Sequence, residues 1–198
     1  MSTPPSLGEA FAGVLEGAQA GAEWAWTALY RAMAPVVLGY LRARGARDAE
    51  DLMGEVFLGV VRDLPTFQGD ERALRAWVLT IAHHRLIDDT RHRARRPVEP
   101  AGAAVLESRG PTADSEQEGL EAVERREVQE VIGALTADQQ GVLLLRILGD
   151  LTVEETAAVL GKRPNAVKAL QRRGLAAIEK RLAGQGRNPS RRSGRLRG

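Results

Sequence analysis

Residues 151–174 read LTVEETAAVLGKRPNAVKALQRRG and contain the signals that decide the local fold. Thr152 and Glu155 have the spacing of a capping box, which predicts that a helix begins directly after the threonine. Gly161 suits the left-handed residue that ends a helix, and Pro164 suits the first turn of the next one. Two short helices joined by a tight turn form a helix-turn-helix pattern, although an ordinary helical hairpin has the same spacing.

The polar face of the second helix favours DNA binding over a simple hairpin. Its apolar residues, such as Val167 and Leu170, recur at helical spacing and predict the buried side. Polar and basic residues lie off that stripe in the N-terminal half of the helix, where a recognition helix contacts base edges and phosphates. The predicted DNA-binding residues are Arg163, Asn165, Ala166, Lys168, Arg172 and Arg173.

Helical periodicity continues through the rest of the chain, and no segment alternates with period two over the length of a strand. All eight aromatic residues lie at or before Trp77, which indicates two cores of different composition. We therefore predict an all-α protein of two small helical domains. The predicted divisions are a disordered or loosely held extension over 1–21, a helical domain over 22–96, a flexible acidic linker over 97–119, a four-helix domain with the helix-turn-helix over 120–183, and an Arg-rich disordered tail over 184–198.

The composition excludes several classes of protein. The chain has 198 residues and no cysteine, so it can form neither disulfides nor thiolate metal sites. It lacks a secretory signal and an apolar run of about 18 residues, and we expect a cytoplasmic protein without membrane insertion. It also lacks a Walker-type phosphate loop and a Gly-x-Ser-x-Gly motif. We therefore expect no enzymatic activity, no catalytic residues and no cofactor.

The charge is unevenly distributed although the formal net charge is only +2. The segment 85–96 has five arginines against two aspartates, and 183–198 has five arginines and no acid. The intervening segment 97–119 has a balance of −4. Basic blocks separated by an acidic one indicate a nucleic-acid partner for the basic blocks.

The three histidines lie within one predicted helix, where a metal site has to be considered. His84, Asp88 and His92 share a helix face, but the two histidines lie about 12 Å apart along the axis. Because metal–ligand bonds are about 2 Å long, one ion cannot bind all three, and we predict no metal site. Two alternatives remain: solvated or core-packed histidines, and a surface that contacts a polyanion.

Several long motifs together resemble the bacterial sigma factors, most closely the extracytoplasmic-function (ECF) class. They are DAEDLMGEVFLGVVRDLPTF, then ALRAWVLTIAHHRLIDDTRHRARR, then LTADQQGVLLLRILGDLTVEETAAVLGKRPNAVKALQRR. The resemblance covers about residues 24–182, apart from most of the predicted linker. It implies that the first domain binds core RNA polymerase and the melted −10 element, and that the second binds the −35 element of promoter DNA.

The resemblance also implies roles for individual residues of the first domain. The residues implied to contact the largest polymerase subunits are Glu50, Asp51, Glu55 and Leu58. Three of them follow the spacing i, i+4, i+7, opposite the predicted buried stripe, as an acidic patch with an apolar centre. The residues implied to bind the −10 element are Phe67, Gln68, Asp70, Trp77, His83, His84 and Arg91. The alternative for Phe67 and Trp77 is a place in the core.

The sequence departs from the family pattern at several positions. Gly54 replaces a common glutamine, which weakens the implied polymerase contact there. Arg163 replaces a serine-type helix cap, and Gly174 replaces a common alanine, each at a cost of about 1 kcal/mol. His83 and His84 replace a common Arg-Asn pair, so the preferred −10 base cannot be transferred.

The resemblance implies a further partner, and two other functions remain to be weighed. Many ECF factors are held inactive by an anti-sigma protein, often membrane-bound, and we expect such a partner here. The main alternative function is a stand-alone helix-turn-helix regulator that binds an operator without polymerase. A second alternative is an RNA-binding or metal-dependent protein centred on the histidines.

Overall fold

The structure, a computed structural model, describes residues 6–95 and 131–186. Within these two ranges every regular element is helical, which confirms the predicted all-α class. Two short 3-10 turns cover Gly8–Ala10 and Leu64–Thr66. The helices are α1 (Phe11–Gln19), α2 (Glu23–Ala43), α3 (Ala49–Asp63), α4 (Glu71–Arg95), α5 (Ala137–Ile147), α6 (Val153–Leu160) and α7 (Pro164–Gly186).

Helices α2, α3 and α4 enclose the core of the first domain. Leu52, Val56 and Val60 of α3 recur at helical spacing and are buried, and α2 contributes the fully buried Tyr40. Leu74 of α4 is also fully buried. The remaining face of α3 therefore points away from the core and is free to meet a partner.

The expectation that residues 1–21 are loosely held is wrong for residues 6–21. These residues include α1, which packs along α2 and buries Phe11, Val14 and Ala18. The spacing i, i+3, i+7 is helical, but alanine and glycine fill much of this segment and make its apolar stripe narrow. Residues 1–5 lie outside the described part of the chain.

Two helices of the second domain begin at threonine caps, one of which is the predicted Thr152. Thr136 and Thr152 each accept a hydrogen bond from the third residue of the following helix, and both capping boxes are complete. Gly161 ends α6 in the left-handed conformation at φ 60°, and Pro164 begins α7. The predicted helix-turn-helix geometry is therefore confirmed.

Gly174 has a packing role that the sequence did not reveal. It is buried where α7 crosses α5, and a Cβ added there would lie 2.8 Å from Cδ1 of Leu143. The absent side chain lets the two helices approach closely. The helix-propensity cost of this glycine is therefore accompanied by closer packing between α5 and α7.

The two domains pack against each other and share one hydrophobic core. Leu144, Leu145 and Leu151 of the second domain belong to the same buried cluster as the α2–α4 residues. At the edge of this contact, the Arg72 guanidinium donates to the Glu155 carboxylate at 3.2 Å and to the backbone oxygen of Asp150 at 3.1 Å. No local sequence pattern predicts this contact between the domains.

Other sequence predictions fall outside the described residues. The predicted acidic linker 97–119 and nearly all of the predicted Arg-rich tail 184–198 lie there, so the domain boundaries remain predictions. Of the predicted domain 120–183, the described residues begin at 131, and residues 131–133 are helical. Among the described segments, no helix combines the length and apolarity that a membrane crossing requires.

Candidate functional site

The acidic patch on α3 consists of Glu50, Asp51 and Glu55 around Leu58. All four residues are exposed, and the Leu58 side chain is 72% accessible because it lies opposite the buried stripe. Arg42 donates a hydrogen bond to Glu50 and lowers the pKa of that carboxyl. Within the described residues, neither Asp51 nor Glu55 forms an ion pair, so both carboxylates are available to an external cation.

The apolar centre of this patch is larger than the sequence analysis recognised. Val61 is 51% exposed one helical turn after Leu58. Tyr30 of α2 is 44% exposed, and its ring centroid lies 4.7 Å from that of Phe57. The spacing i, i+3 from Leu58 could have identified Val61, whereas Tyr30 required knowledge of how α2 packs on α3. An apolar surface rimmed by acids fits a protein partner with apolar and basic groups.

The loop between α3 and α4 presents Phe67 beside Trp77. Both side chains are half-buried, and their ring centroids lie 5.2 Å apart with the planes inclined by 31°. Gly69 allows this arrangement, because an added Cβ would lie 3.0 Å from Cζ of Phe67. The two rings are thus neither free in solvent nor enclosed in the core. They form a partly open aromatic pair on which a base could stack.

The two polar residues implied to act in this loop have different environments. Gln68 is exposed, and its side chain can reach solvent or a ligand. Oδ1 of Asp70 accepts a hydrogen bond from the Ala73 N–H at 2.7 Å, and its backbone oxygen accepts from Leu74. Asp70 therefore caps the N-terminus of α4, although it is also exposed.

His83 and His84 are adjacent in sequence but differ in burial. His83 is half-buried, and its Nδ1 lies 2.9 Å from the hydroxyl oxygen of the fully buried Tyr40. Burial and, to a smaller extent, the nearby Arg44, His84 and Lys162 side chains together lower the pKa of His83 to about 4. Burial also raises the pKa of Tyr40 to about 12. At neutral pH, an un-ionised tyrosine hydroxyl and an uncharged imidazole therefore share this hydrogen bond.

Because of this contact His83 has a structural role, whereas His84 lies on the surface. His84 is exposed, whereas a ring nitrogen of His83 is already committed to Tyr40. Both histidines were predicted to bind DNA, because no sequence signal pairs His83 with α2. Of the two, His84 is the better placed to meet DNA.

The C-terminal half of α4 borders an open cleft between the domains. The cleft has a volume of about 650 Å³, and His84, Arg91 and Lys162 contribute to its lining. Arg91 lies 3.8 Å from Asp88, and both side chains are 69% exposed, so this pair is weak in water. Among the described residues, no three potential metal ligands lie close enough together to bind one ion.

The outer face of α7 is polar and basic, as its sequence predicts. Val167 is fully buried and fixes which side of the helix faces the domain core. The side chain of Arg163 points outward, while its backbone oxygen accepts hydrogen bonds from the N–H groups of Ala166 and Val167. The outward-facing residues are Arg163, Asn165, Ala166, Lys168, Arg172 and Arg173, all of them exposed.

Comparison with protein-family models gives two matches in the order that the fold suggests. Residues 29–96 match sigma-70 region 2, and residues 125–178 match sigma-70 region 4. The first match covers most of α2 and all of α3, the loop with Phe67 and α4. The second covers the helix-turn-helix and the first two thirds of α7.

Curated relatives and a solved structure are similar over most of the chain. The ECF RNA polymerase sigma factor BldN of Streptomyces coelicolor is 33% identical over 171 residues, which is 85% of this chain and 64% of BldN. The ECF sigma factor SigD of Mycobacterium tuberculosis is 30% identical over 90% of this chain and 87% of its own length. CnrH, solved in complex with the cytosolic domain of CnrY, has a similar fold, with a TM-score of 0.63, 22% identity and coverage of 89% and 99% of the two chains.

Proposed function

We propose that three surfaces of this chain, which belongs to the ECF class of the sigma-70 family, each bind a different partner or DNA element. Sigma factors of this family bind core RNA polymerase and direct it to promoter DNA, where transcription begins. In our proposal α3 binds the polymerase, the loop with Phe67 and α4 bind the −10 strand, and α7 reads the −35 element. The observation that carries the proposal is the separation of one acidic and two polar or basic surfaces on distinct exposed helices.

The polymerase contact is proposed for the acidic patch together with Leu58, Val61 and Tyr30. Asp51 and Glu55 are exposed carboxylates without an internal cation, so binding a basic partner breaks no ion pair within the described structure. Leu58 supplies apolar area beside them. Apolar burial gives such an interface its affinity, and the charges give orientation and association rate.

The −10 contact is proposed for the Phe67–Trp77 pair, Gln68 and the exposed residues of α4. A flipped base needs an aromatic surface on which to stack again after it leaves the duplex. His84 and Arg91 lie further along α4, where they can contact the strand backbone. Asp70 stabilises this surface by capping the N-terminus of α4, and His83 stabilises it through its hydrogen bond with Tyr40.

The −35 contact is proposed for the outer face of α7. Arg163, Asn165, Ala166 and Lys168 lie at its N-terminal end, where a recognition helix enters the major groove. Arg172 and Arg173 lie further along and are suited to phosphates. Pro164 and Val167 fix the start and the rotation of the helix, so these side chains project together.

The packed domains imply that the chain changes shape on a promoter. The −35 and −10 elements are separated by roughly 25 base pairs, which is about 85 Å of straight duplex at 3.4 Å per pair. Two small domains that share one core have an expected diameter of only about 40 Å. We therefore assign the packed arrangement to the free protein and propose that the domains separate when DNA binds.

An anti-sigma partner and a cytoplasmic location complete the proposal. CnrH, which shares the fold, was solved in complex with the cytosolic domain of CnrY. That precedent supports a protein partner that competes with polymerase for the exposed apolar and acidic surface of α3. In this proposal the chain forms or breaks no covalent bond itself and acts only through binding.

The test is a charge reversal on α3 with a matched control. Glu55→Lys should weaken binding to bacterial core RNA polymerase at least tenfold, about 1.4 kcal/mol, because it places like charges together. Glu16→Lys makes the same change at an exposed site on α1 and should leave the affinity unchanged. Fluorescence anisotropy of the labelled chain measures both affinities.

The outcomes separate the two main functions. Binding of wild type to core polymerase, lost only in Glu55→Lys, supports the proposed surface. Equal binding by both variants contradicts it. Failure of the wild type to bind polymerase, together with tight and specific binding to closed duplex DNA, would instead identify a stand-alone operator-binding regulator.

A further inference from the structure

We propose that the N-terminal segment 6–19 holds the loop that presents Phe67, and that Gln19 is a positioning residue for this aromatic. This inference depends on the proposed role of Phe67 at the −10 element for its functional consequence, but not for its structural basis. The segment lies outside the part of the chain that matches sigma-70 region 2, which begins at residue 29.

Gln19, the last residue of α1, binds both ends of the turn that precedes and includes Phe67. Its side-chain N–H2 group donates to the backbone oxygen of Leu64 at 3.1 Å and to the backbone oxygen of Phe67 at 2.8 Å. The Leu64 oxygen also accepts from the Phe67 N–H at 3.0 Å, which closes the turn. One amide group therefore joins the two carbonyls whose separation defines the turn.

A second connection holds the far side of the loop at the start of α4. The Glu71 carboxylate accepts hydrogen bonds from the Ser6 hydroxyl at 3.0 Å, from the Leu7 N–H at 3.0 Å and from the Gly8 N–H at 2.9 Å. It also pairs with the buried Arg75 at 3.1 Å. The segment thus contacts the chain both before and after the exposed tip of the loop.

The segment is itself firmly placed, so it can act as a support. Phe11, Val14 and Ala18 are buried against the first domain between the two connections. A loop that must accept a base loses less entropy on binding if its backbone is already ordered. The two Gln19 hydrogen bonds hold Phe67 over Trp77 before DNA arrives, which favours base capture.

The direct structural test removes the two donors without changing the size of the side chain. Gln19→Met should increase hydrogen exchange of the Phe67 amide in the free chain about tenfold, because two hydrogen bonds that hold the turn are lost. Gln140→Met is the matched control, since Gln140 also donates from its side chain to two backbone oxygens, those of Ile132 and Leu135. Exchange at Phe67 should be unchanged in that control.

The functional test uses the full chain with core polymerase and promoter duplexes that contain 2-aminopurine in the −10 element. Gln19→Met should slow the fluorescence increase on strand opening about tenfold, a factor matching two lost hydrogen bonds. In a Phe67→Ala background the same substitution should have no further effect, because the two residues act as one unit.

The results distinguish this inference from the proposed function. Unchanged exchange at Phe67 in Gln19→Met overturns the inference, as does full additivity with Phe67→Ala in strand opening. Faster exchange of the Phe67 amide in Gln19→Met supports it, provided that Gln19→Met does not slow strand opening further in the Phe67→Ala background. If the wild type gives no fluorescence change with polymerase, the proposed function fails, and the exchange result still decides whether Gln19 holds the loop.

Discussion

Lowering the pH from 8 to 5 should destabilise the fold through His83. The half-buried imidazole has a pKa of about 4 in the folded protein, whereas an unfolded histidine titrates near 6.5. Between these values the unfolded chain binds more protons than the folded one, so stability increases with pH. The contribution is complete above pH 6.5 and is lost as the pH falls toward 4.

The size of the effect follows from the two pKa values. Together they give a loss of about 2 kcal/mol in the free energy of unfolding at pH 5 relative to pH 8. The ring of His83 is partly accessible, and solvent screening reduces this to about 1 kcal/mol. The nearby Arg44, His84 and Lys162 side chains also lower the pKa of His83, because they oppose a positive charge at this position.

The assay is urea unfolding at a series of pH values, with His83→Asn compared against the wild type. The difference in the free energy of unfolding between the two proteins should shrink by about 1 kcal/mol from pH 8 to pH 5. Because the carboxylates titrate in both proteins, their contribution to the pH dependence cancels in this comparison. His92→Asn, at an exposed position on the same helix, should keep a constant difference.

A constant difference between wild type and His83→Asn across this range would contradict the lowered pKa of His83. It would mean that His83 is as easily protonated in the folded chain as in the unfolded one. A hydrogen bond between the Tyr40 hydroxyl and an uncharged ring would then be the wrong description of this contact.

Three further predictions concern stability and domain packing. Gly149→Ala should lower the free energy of unfolding by about 1–3 kcal/mol, because the added Cβ would lie 2.6 Å from the backbone oxygen of Leu145; unchanged urea unfolding would contradict this. Arg72→Ala should increase the population of molecules whose two domains are separated. It removes the exposed Arg72–Glu155 ion pair, which contributes at most about 1 kcal/mol. Fluorescence transfer between dyes on two introduced cysteines can measure this, since the chain has none of its own, and an unaltered distance distribution would count against it. Thr152→Ala and Thr136→Ala should each cost about 1 kcal/mol in chemical unfolding, and a loss below the error of the measurement would show that the caps contribute little.

Local signals in the sequence predicted much of the fold. The capping threonines, Gly161 and Pro164 act on residues within one helical turn, so their effects can be read from the sequence directly. The buried stripe of α3 followed from its spacing, and the exposed acidic patch followed as the opposite face. The narrow stripe of α1 was missed because small residues bury little area.

Contacts between distant segments could not be predicted in the same way. No local pattern pairs His83 with Tyr40, or Gln19 with the turn before Phe67, since these residues lie more than 40 positions apart. The packing role of Gly174 likewise depends on how closely α7 crosses α5. The ambiguity of Phe67 and Trp77 reflects their partial burial, because half-buried rings satisfy both the core pattern and the surface pattern.

The most direct test of the account is transcription by the purified chain with bacterial core RNA polymerase. Fragmented genomic DNA from the organism that encodes the chain serves as template, and the 5′ ends of the transcripts are sequenced. The expected result is a set of discrete start sites that share −35 and −10 elements upstream, with a transcript yield that falls with Glu55→Lys but not with Glu16→Lys. Transcripts with no shared upstream elements, or no transcripts from a folded chain free of any inhibitor, would contradict it.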